Sequence, residues 1–175
     1  MLDLPPASGE KALRDRWTAP PGYGGVMSLF SEGELALMGK AEFAFPGALR
    51  DQLVAAILDG SKTSTTGLVV DYEHEGEALP EVGSRAVVVD SQDRPVGVIE
   101  VTEIRVVPLA EVDLAHAIDE GEGDTTVAGW RANHESFWHS PEMRDAMDDP
   151  DFTVADGTLA VLERFRLIAD LRPGS

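Results

Sequence analysis

The segment 60–65, with the sequence GSKTST, contains the residues whose types and spacing could do chemistry. Lys62 is one of three lysines in an acidic chain that otherwise carries its positive charge on arginine. A threonine hydroxyl is a weak nucleophile until a base takes its proton, and lysine is such a base only when burial or a nearby cation lowers its pKa. A neighbouring carboxylate would instead keep the ammonium charged. Lys62 and Thr65 therefore form a candidate pair only if their side chains meet.

An amphipathic helix is predicted directly before this segment, from about residue 47 to residue 59. Its apolar residues have the spacing of one buried stripe, namely Leu49, Leu53, Ala56 and Ile57. Gly60 stands where a helix commonly ends. If a tight turn follows, Lys62 and Thr65 lie on one side and can touch. If the segment is extended, they point to opposite faces, and the threonines simply begin a strand.

The composition limits the classes of function. At 175 residues, the chain suits one domain with a terminal extension. It has neither a run of about eighteen apolar residues nor a basic-then-apolar start, which predicts no membrane span and a cytoplasmic protein by default. Without cysteine it cannot form disulfides or thiolate metal sites, and no cofactor is predicted. The formal charge of −18 disfavours broad binding to a nucleic-acid backbone, but a local pocket for a small ligand stays compatible with it.

Two other segments carry candidate site residues. In a strand predicted over residues 96–107, Glu100 shares a face with apolar neighbours, so either it points into a pocket or a bulge returns it to solvent. A helix predicted over residues 126–138 carries an aromatic stripe that includes Trp130. This stripe either belongs to the core or, with Arg131, forms a wall on which a base stacks.

The remaining pattern predicts an α+β fold. Residues 1–26, rich in proline and glycine, are expected to form an irregular arm with at most one short helix. A strand is expected at residues 67–71 and an acidic loop at residues 73–81. Short strands interrupted by helices and joined by glycine and proline turns favour a small closed sheet, because closure removes exposed edges.

The order of the motifs resembles the activating-signal-cointegrator homology (ASCH) family, in its longer bacterial form. The motif Gly60-x-Lys62-x-x-Thr65 is followed by segments that also match, namely DYE at 71–73, LPEVG at 79–83, PVGVIEVTE at 95–103, EGEGD at 120–124, GWR at 129–131 and ERFRL at 163–167. The predicted domains are therefore an N-terminal extension over residues 1–40 and an ASCH domain over residues 41–170. The resemblance implies the pseudouridine-synthase-and-archaeosine-transglycosylase (PUA) fold, a small β-barrel flanked by helices.

The resemblance also implies an activity, because small ASCH members are amidohydrolases that remove an acyl group from the exocyclic amine of cytidine. Carried over to this chain, the motif's lysine is the base, its threonine the nucleophile and a downstream glutamate the assisting group. These would be Lys62, Thr65 and Glu122, with Glu100 as the alternative carboxylate. The residues expected to contact the substrate are Tyr72, Thr126, Trp130 and Arg131.

Besides an accessory domain whose pocket binds a small acidic or nucleoside metabolite, two functions stay open at this point. Small members carry an arginine two residues after the threonine, where this chain has Gly67, and ribonuclease activity has been described for one longer bacterial member. The chain is thus either an amidohydrolase for a cytidine-like nucleoside or a protein that binds or cleaves short RNA, as a monomer or a dimer. A hydrolase needs Lys62 within reach of Thr65 in a closed cavity, whereas an RNA reader needs an open basic and aromatic groove.

Overall fold

A computed structural model of the chain describes residues 11–16 and 29–172. The strands in this part are β1 (Lys11–Arg16), β2 (Gly39–Glu42), β3 (Ser64–Leu68), β4 (Arg85–Val89), β5 (Pro95–Pro108) and β6 (Leu159–Asp170). The helices are α1 (Glu32–Leu37), α2 (Ala48–Asp59), α3 (Val69–Glu75), α4 (Leu114–Asp119), α5 (Val127–Trp138) and α6 (Pro141–Ala146), with a 3-10 turn at Leu109–Glu111.

The strands form one mixed sheet in the order β1-β2-β4-β5-β6-β3. Only the β2–β4 pair is parallel among the described strands; the other neighbours are antiparallel. The long strands β5 and β6 lie side by side, and their pairing shifts register at two places. Such bulges bend a strand and increase its twist, and the sheet curls into a half-barrel. The predicted α+β class is confirmed.

Two expectations about secondary structure are wrong. Lys11–Arg16 was expected in an irregular arm but is a strand that pairs with β2, because the partner strand, and not a local pattern, determines its conformation. The rest of residues 1–26 lies outside the described residues. The expected strand at 67–71 ends at Leu68, and a helix, Val69–Glu75, begins directly after it.

The core fixes α2 and α5 above neighbouring parts of the sheet. One buried cluster packs α5 and α6 on β6 and includes Trp130, Trp138, Met143, Ala160 and Leu162. A second packs α2 on β5 and β6 and includes Phe43, Leu53, Ile57, Ile99 and Phe165. Phe137 on α5 contacts both clusters. None of the helices in the described ranges is long and apolar enough to cross a membrane.

Candidate functional site

The turn that follows α2 packs closely against the end of α4. The Thr63 N–H donates to the Asp119 carbonyl over 2.8 Å. The approach is closest at Gly121, where an added Cβ would lie 2.4 Å from the Ser61 carbonyl oxygen. Gly121 also has a φ of +68°, in the left-handed region that glycine adopts without a Cβ clash. A glycine here lets the acidic turn 120–124 reach Lys62.

Lys62 lies inside the protein with its side chain fully buried. Its Nζ is 2.8 Å from Glu122 Oε1, donates to the Glu120 carbonyl over 3.3 Å and lies 3.9 Å from Glu120 Oε2. The ring of Phe43 is 5.9 Å from the same ammonium. Two carboxylates beside a buried lysine stabilise its charged form. Lys62 is therefore placed to act as a cation and not as the expected base.

Thr65 does not contact Lys62. It lies within β3, whose extended backbone directs Thr65 and Thr66 to opposite faces of the sheet. Thr65 Oγ1 is buried and has no hydrogen-bond partner among the residues that the structure describes. The extended alternative, in which lysine and threonine cannot cooperate, is thus the observed one. The hydroxyl that reaches the charged cluster is the next one, Thr66.

Glu120 is the centre of a buried polar cluster. Its Oε1 accepts hydrogen bonds from Thr66 Oγ1 over 2.6 Å and from Trp130 Nε1 over 2.9 Å. His116 Nε2 lies 3.1 Å from the same oxygen, and His134 Nε2 lies 3.1 Å from Oε2. The carboxylate therefore contacts side chains from β3, α4 and α5 and lies 3.9 Å from the Lys62 ammonium.

The surroundings of His134 favour its cationic form. Nδ1 lies 3.0 Å from the Trp130 carbonyl, and Nε2 faces the Glu120 carboxylate. Both neighbours carry full or partial negative charge, which favours protonation of both ring nitrogens. The contact with Glu120 is an electrostatic one, because Glu120 Oε2 accepts no hydrogen bond from the described residues. Lys62 and His134 thus place two cations beside Glu120.

These cations determine the charge of Glu120. Burial by itself raises the pKa of this carboxyl. The charge of His134, the close contacts of His116 and His134 with the carboxylate, and the charge of Lys62 outweigh burial and hold the pKa well below its usual range. Glu120 is therefore ionised at neutral pH in spite of its burial.

A cavity of about 250 Å³ lies between α2 and α5, next to this cluster. Its apolar wall consists of Ala44, Leu49, Leu53, Phe137 and Trp138. Its polar wall consists of Gln52, Thr66, Glu122, Asn133 and His134. Glu122 therefore lines the cavity with one carboxylate oxygen bound to the buried Lys62 ammonium. This arrangement suits a small, largely apolar molecule with a polar group facing Glu122.

The family profile of the ASCH domain matches residues 41–169. The chain belongs to the ASCH domain family. Its structure is similar to an ASCH domain from Lactobacillus crispatus, with 24% identity, coverage of 80% of this chain and 87% of that one, and a TM-score of 0.65. It is also similar to protein EF3133 from Enterococcus faecalis, with 24% identity, 70% coverage of each chain and a TM-score of 0.61. No curated protein matches the chain in sequence. The PUA-like fold is confirmed.

Glu100 lies outside the site of this ASCH domain. It forms ion pairs with Arg166 over 2.6 Å and with Arg85 over 2.9 Å, on the two strands beside β5. Hydrogen bonds from Arg166 and Arg85 lower the pKa of Glu100. The register shifts between Val98 and Ile99 and between Val101 and Glu103 interrupt the alternation that suggested an inward direction. The expectation that Glu100 points into a pocket is wrong.

Thr126 and Arg131 have structural partners. Thr126 is the N-cap of α5, and its Oγ1 accepts a hydrogen bond from the Gly129 N–H over 3.0 Å. Arg131 pairs with Glu135 over 2.6 Å and with Asp156 over 3.5 Å. Neither Thr126 nor Arg131 lines the cavity. The structure does not bring these two expected substrate contacts to the site.

Trp130 and Tyr72 are buried components of the fold. Trp130 is fully buried and supports Glu120 through its indole N–H, so it acts on the site indirectly. Tyr72 packs over Gly67, where an added Cβ would lie 3.1 Å from its ring. Trp130 therefore belongs to the core, and neither it nor Arg131 lines the cavity, whereas Phe137 and Trp138 of the same stripe do.

Sequence reasoning missed Glu120, Thr66 and His134. His116 and Glu120 stand four residues apart, as do Trp130 and His134, so each pair lies on one helical face. These spacings were the available signal, but they do not show that the two helices meet. In the described ranges, no group of three or more histidine, aspartate or glutamate side chains is arranged to hold a metal ion.

Proposed function

We propose that this ASCH domain is a hydrolase that cleaves the acyl-amide bond of a nucleoside-sized molecule, such as a cytidine acylated on its exocyclic amine. The family resemblance suggests the bond. The observation that carries the proposal is the Lys62–Glu122 pair, 2.8 Å apart, at the wall of a cavity of about 250 Å³. A carboxylate on the wall of a partly apolar cavity, held by a buried cation behind it, can serve as the general base of amide hydrolysis.

The two side chains have different roles in the proposed reaction. Glu122 takes a proton from a water molecule as the water oxygen attacks the amide carbonyl carbon. The buried Lys62 ammonium does not line the cavity, and its role is to hold the Glu122 carboxylate in place over 2.8 Å. When the carbon–nitrogen bond breaks, Glu122 returns the proton to the departing amine, so the products are a carboxylic acid and a free amine. A positioned base of this kind typically accelerates a reaction by about 10²- to 10⁴-fold.

Glu120 supports this reaction without touching the substrate. Its carboxylate is fully buried behind Lys62, 3.9 Å from the ammonium. It helps to keep Lys62 charged and, through His134, fixes one polar wall of the cavity. Its role is therefore to position the groups that meet the substrate.

Size and charge favour a small uncharged substrate over RNA. The volume of the cavity, about 250 Å³, lies just below the usual range for ligand pockets, which is roughly 300–1,000 Å³. Its lining residues include no lysine or arginine, and the nearby Arg131 is paired with Glu135 and Asp156. A phosphate backbone would meet Glu122 and the field of a chain with a net charge of −18.

The test is hydrolysis of a panel of exocyclic-amine-acylated cytidines, followed by ultraviolet absorbance. We expect turnover by the wild type and a loss of about 100-fold or more in Glu122→Gln, because the base is removed. Lys62→Met should lose comparable activity, with folding checked by circular dichroism. Glu100→Gln is the matched control and should keep full activity, because Glu100 lies outside the site.

The outcomes separate the two functions left open by the sequence. Turnover that survives Glu122→Gln would contradict the proposed mechanism. Absence of turnover by folded wild-type protein on every substrate would contradict the proposal itself. Short RNA would then be the next ligand to examine, both for binding and for cleavage.

A further inference from the structure

Two amide side chains stand at the polar wall of the cavity, one on each helix that flanks it. Gln52 belongs to α2 and Asn133 to α5. Gln52 forms no hydrogen bond with any residue in the described part of the chain, so its amide is free to turn either end toward a ligand. Asn133, in contrast, donates its Nδ2 to Asp124 Oδ1 over 2.9 Å. Of these two amide groups, only that of Asn133 thus has a fixed orientation.

Asp124 determines which end of the Asn133 amide serves as an acceptor at this wall. A carboxylate only accepts hydrogen bonds, so it selects the NH₂ end of the amide and orients the carbonyl oxygen away from itself. The carboxylate is itself held against the first turn of α5. An added Cβ at Gly129 would lie 3.2 Å from Asp124 Oδ1 and 3.2 Å from Thr126 Oγ1. The glycine thus leaves the space that the Asp124 carboxylate occupies.

We propose that Asn133, oriented by Asp124, determines specificity at this cavity by selecting ligands that present an N–H donor to its carbonyl oxygen. In the reaction proposed above, on which this inference rests for its substrate, a secondary amide carries such a donor on its nitrogen. An N-methylated amide does not. The Glu122 carboxylate on the same wall is also an acceptor and strengthens the preference for a donor.

Binding affinities of two matched ligands test this inference separately from turnover. The probes are N4-acetylcytidine and its N4-methyl derivative, titrated by calorimetry into protein that also carries Glu122→Gln so that neither is consumed. We expect the secondary amide to bind more tightly, by about 5- to 20-fold, because the methylated ligand leaves the Asn133 oxygen without a partner. The methyl group also has a steric effect on the ratio of the two affinities. Substitutions in the protein are therefore needed to show that the loss of the hydrogen bond causes the difference.

Three substitutions assign the preference to Asn133. Asn133→Leu should reduce the ratio of affinities to within about twofold, since the acceptor is gone. Asp124→Asn should reduce the ratio as well, although residue 124 does not line the cavity, because an amide at this position no longer selects one end of Asn133. Gln52→Leu is the matched control on the opposite helix and should leave the ratio at its starting value.

Each outcome bears on the inference. An unchanged ratio in Asn133→Leu, or an equal reduction in Gln52→Leu, would overturn it. Failure of both ligands to bind would overturn it too. A ratio that behaves as expected in a protein without hydrolytic activity would refute the proposed function and leave the role of Asn133 in recognition intact.

Discussion

Thr65 and Thr66 are adjacent hydroxyl residues with opposite surroundings. Thr65 Oγ1 is buried and has no hydrogen-bond partner in the described structure, whereas Thr66 Oγ1 donates to Glu120 and lies 2.9 Å from His116 Nε2. A buried polar group without a partner reduces stability, and removing one member of a buried pair leaves the other unsatisfied. The two threonines therefore respond differently to the same isosteric change.

We expect Thr65→Val to leave the free energy of unfolding unchanged or to raise it by up to about 1 kcal/mol, because no hydrogen bond is lost. Thr66→Val should lower it by about 1 to 3 kcal/mol, because Glu120 loses a donor. Urea unfolding followed by circular dichroism measures both. Activity gives a second result, since loss of hydrolysis in a stably folded Thr65→Val protein would restore Thr65 as the nucleophile and contradict our assignment.

The ionised Glu120 should make stability depend on pH. Its pKa is lower in the folded chain than its ordinary value of 4.5, so its ionised form contributes stability above that value. The contribution is lost as the pH falls toward the folded pKa. At pH 6, Glu120→Gln should be less stable than the wild type by about 3 to 5 kcal/mol, because the buried His134 loses its anion and Lys62 keeps only Glu122.

Chemical unfolding of both proteins at pH 6 and pH 3.5 checks this prediction. The difference between them should shrink at the lower pH, because wild-type Glu120 begins to protonate in the unfolded chain. Glu100→Gln is the control, since Glu100 also has a lowered pKa but forms its ion pairs near the surface, where such pairs contribute little. A difference for Glu120→Gln that is equal at both pH values would contradict the linkage.

At the scale of elements, the close approach of two turns creates the site. The backbone after α2 and the backbone after α4 are in contact at Gly121, and this contact brings Glu122 to Lys62. The acidic turn offers a matched glycine, because Gly123 also has a positive φ, of +93°, but an added Cβ there would meet nothing within 4 Å. Alanine substitutions at the two glycines can therefore distinguish the effect of backbone strain from the effect of steric overlap.

Gly121→Ala should lower the free energy of unfolding by about 2 to 4 kcal/mol, because left-handed strain and overlap with the Ser61 carbonyl add together. Gly123→Ala carries the strain alone and should cost about 1 to 2 kcal/mol. Thermal unfolding measures both, and hydrolysis should fall more in Gly121→Ala, where Glu122 is displaced. Equal effects of the two substitutions would contradict the role of the close contact.

Elements with strong periodic patterns were predicted well from the sequence, and elements that depend on partners were not. Helices α2 and α5 have clear apolar stripes and appear within one residue of their expected bounds. The β-branched residues at 69–70 favoured a strand, yet they begin α3, whose Tyr72 packs back over Gly67. Tertiary packing overrode local propensity there, as it also did at β1.

The site was predictable only in part for the same reason. Lys62 and Glu122 belong to motifs that stand out in the sequence, and the structure brings them to 2.8 Å. The partners of Glu120 are spread over three elements, and no local spacing shows that Thr66 and Trp130 meet at one carboxylate. Whether Lys62 can act as a base depends on neighbouring charges that only the fold brings together, and the two carboxylates beside it favour its charged form.

The net charge of the molecule and the lining of the cavity disfavour the same ligands, namely long anions. The chain carries a formal charge of −18, and the side chains that line the cavity include Glu122 but no lysine or arginine. A long anion would therefore be repelled both by the general field and at the site. A neutral molecule is unaffected by the field, so its affinity depends on contacts inside the cavity.

We therefore expect that a fluorescently labelled single-stranded RNA of twelve nucleotides does not bind measurably at 50 mM salt and protein concentrations up to about 100 μM. Fluorescence anisotropy measures this binding. Uncharged acylated cytidines should bind with an affinity that is independent of salt between 50 and 200 mM, because no counterions are released. RNA binding that weakens steeply over that range would indicate contacts between basic side chains outside the cavity and the phosphate backbone. Such a result would favour RNA recognition over nucleoside hydrolysis, because it would mean that backbone contacts, and not the cavity, supply the affinity.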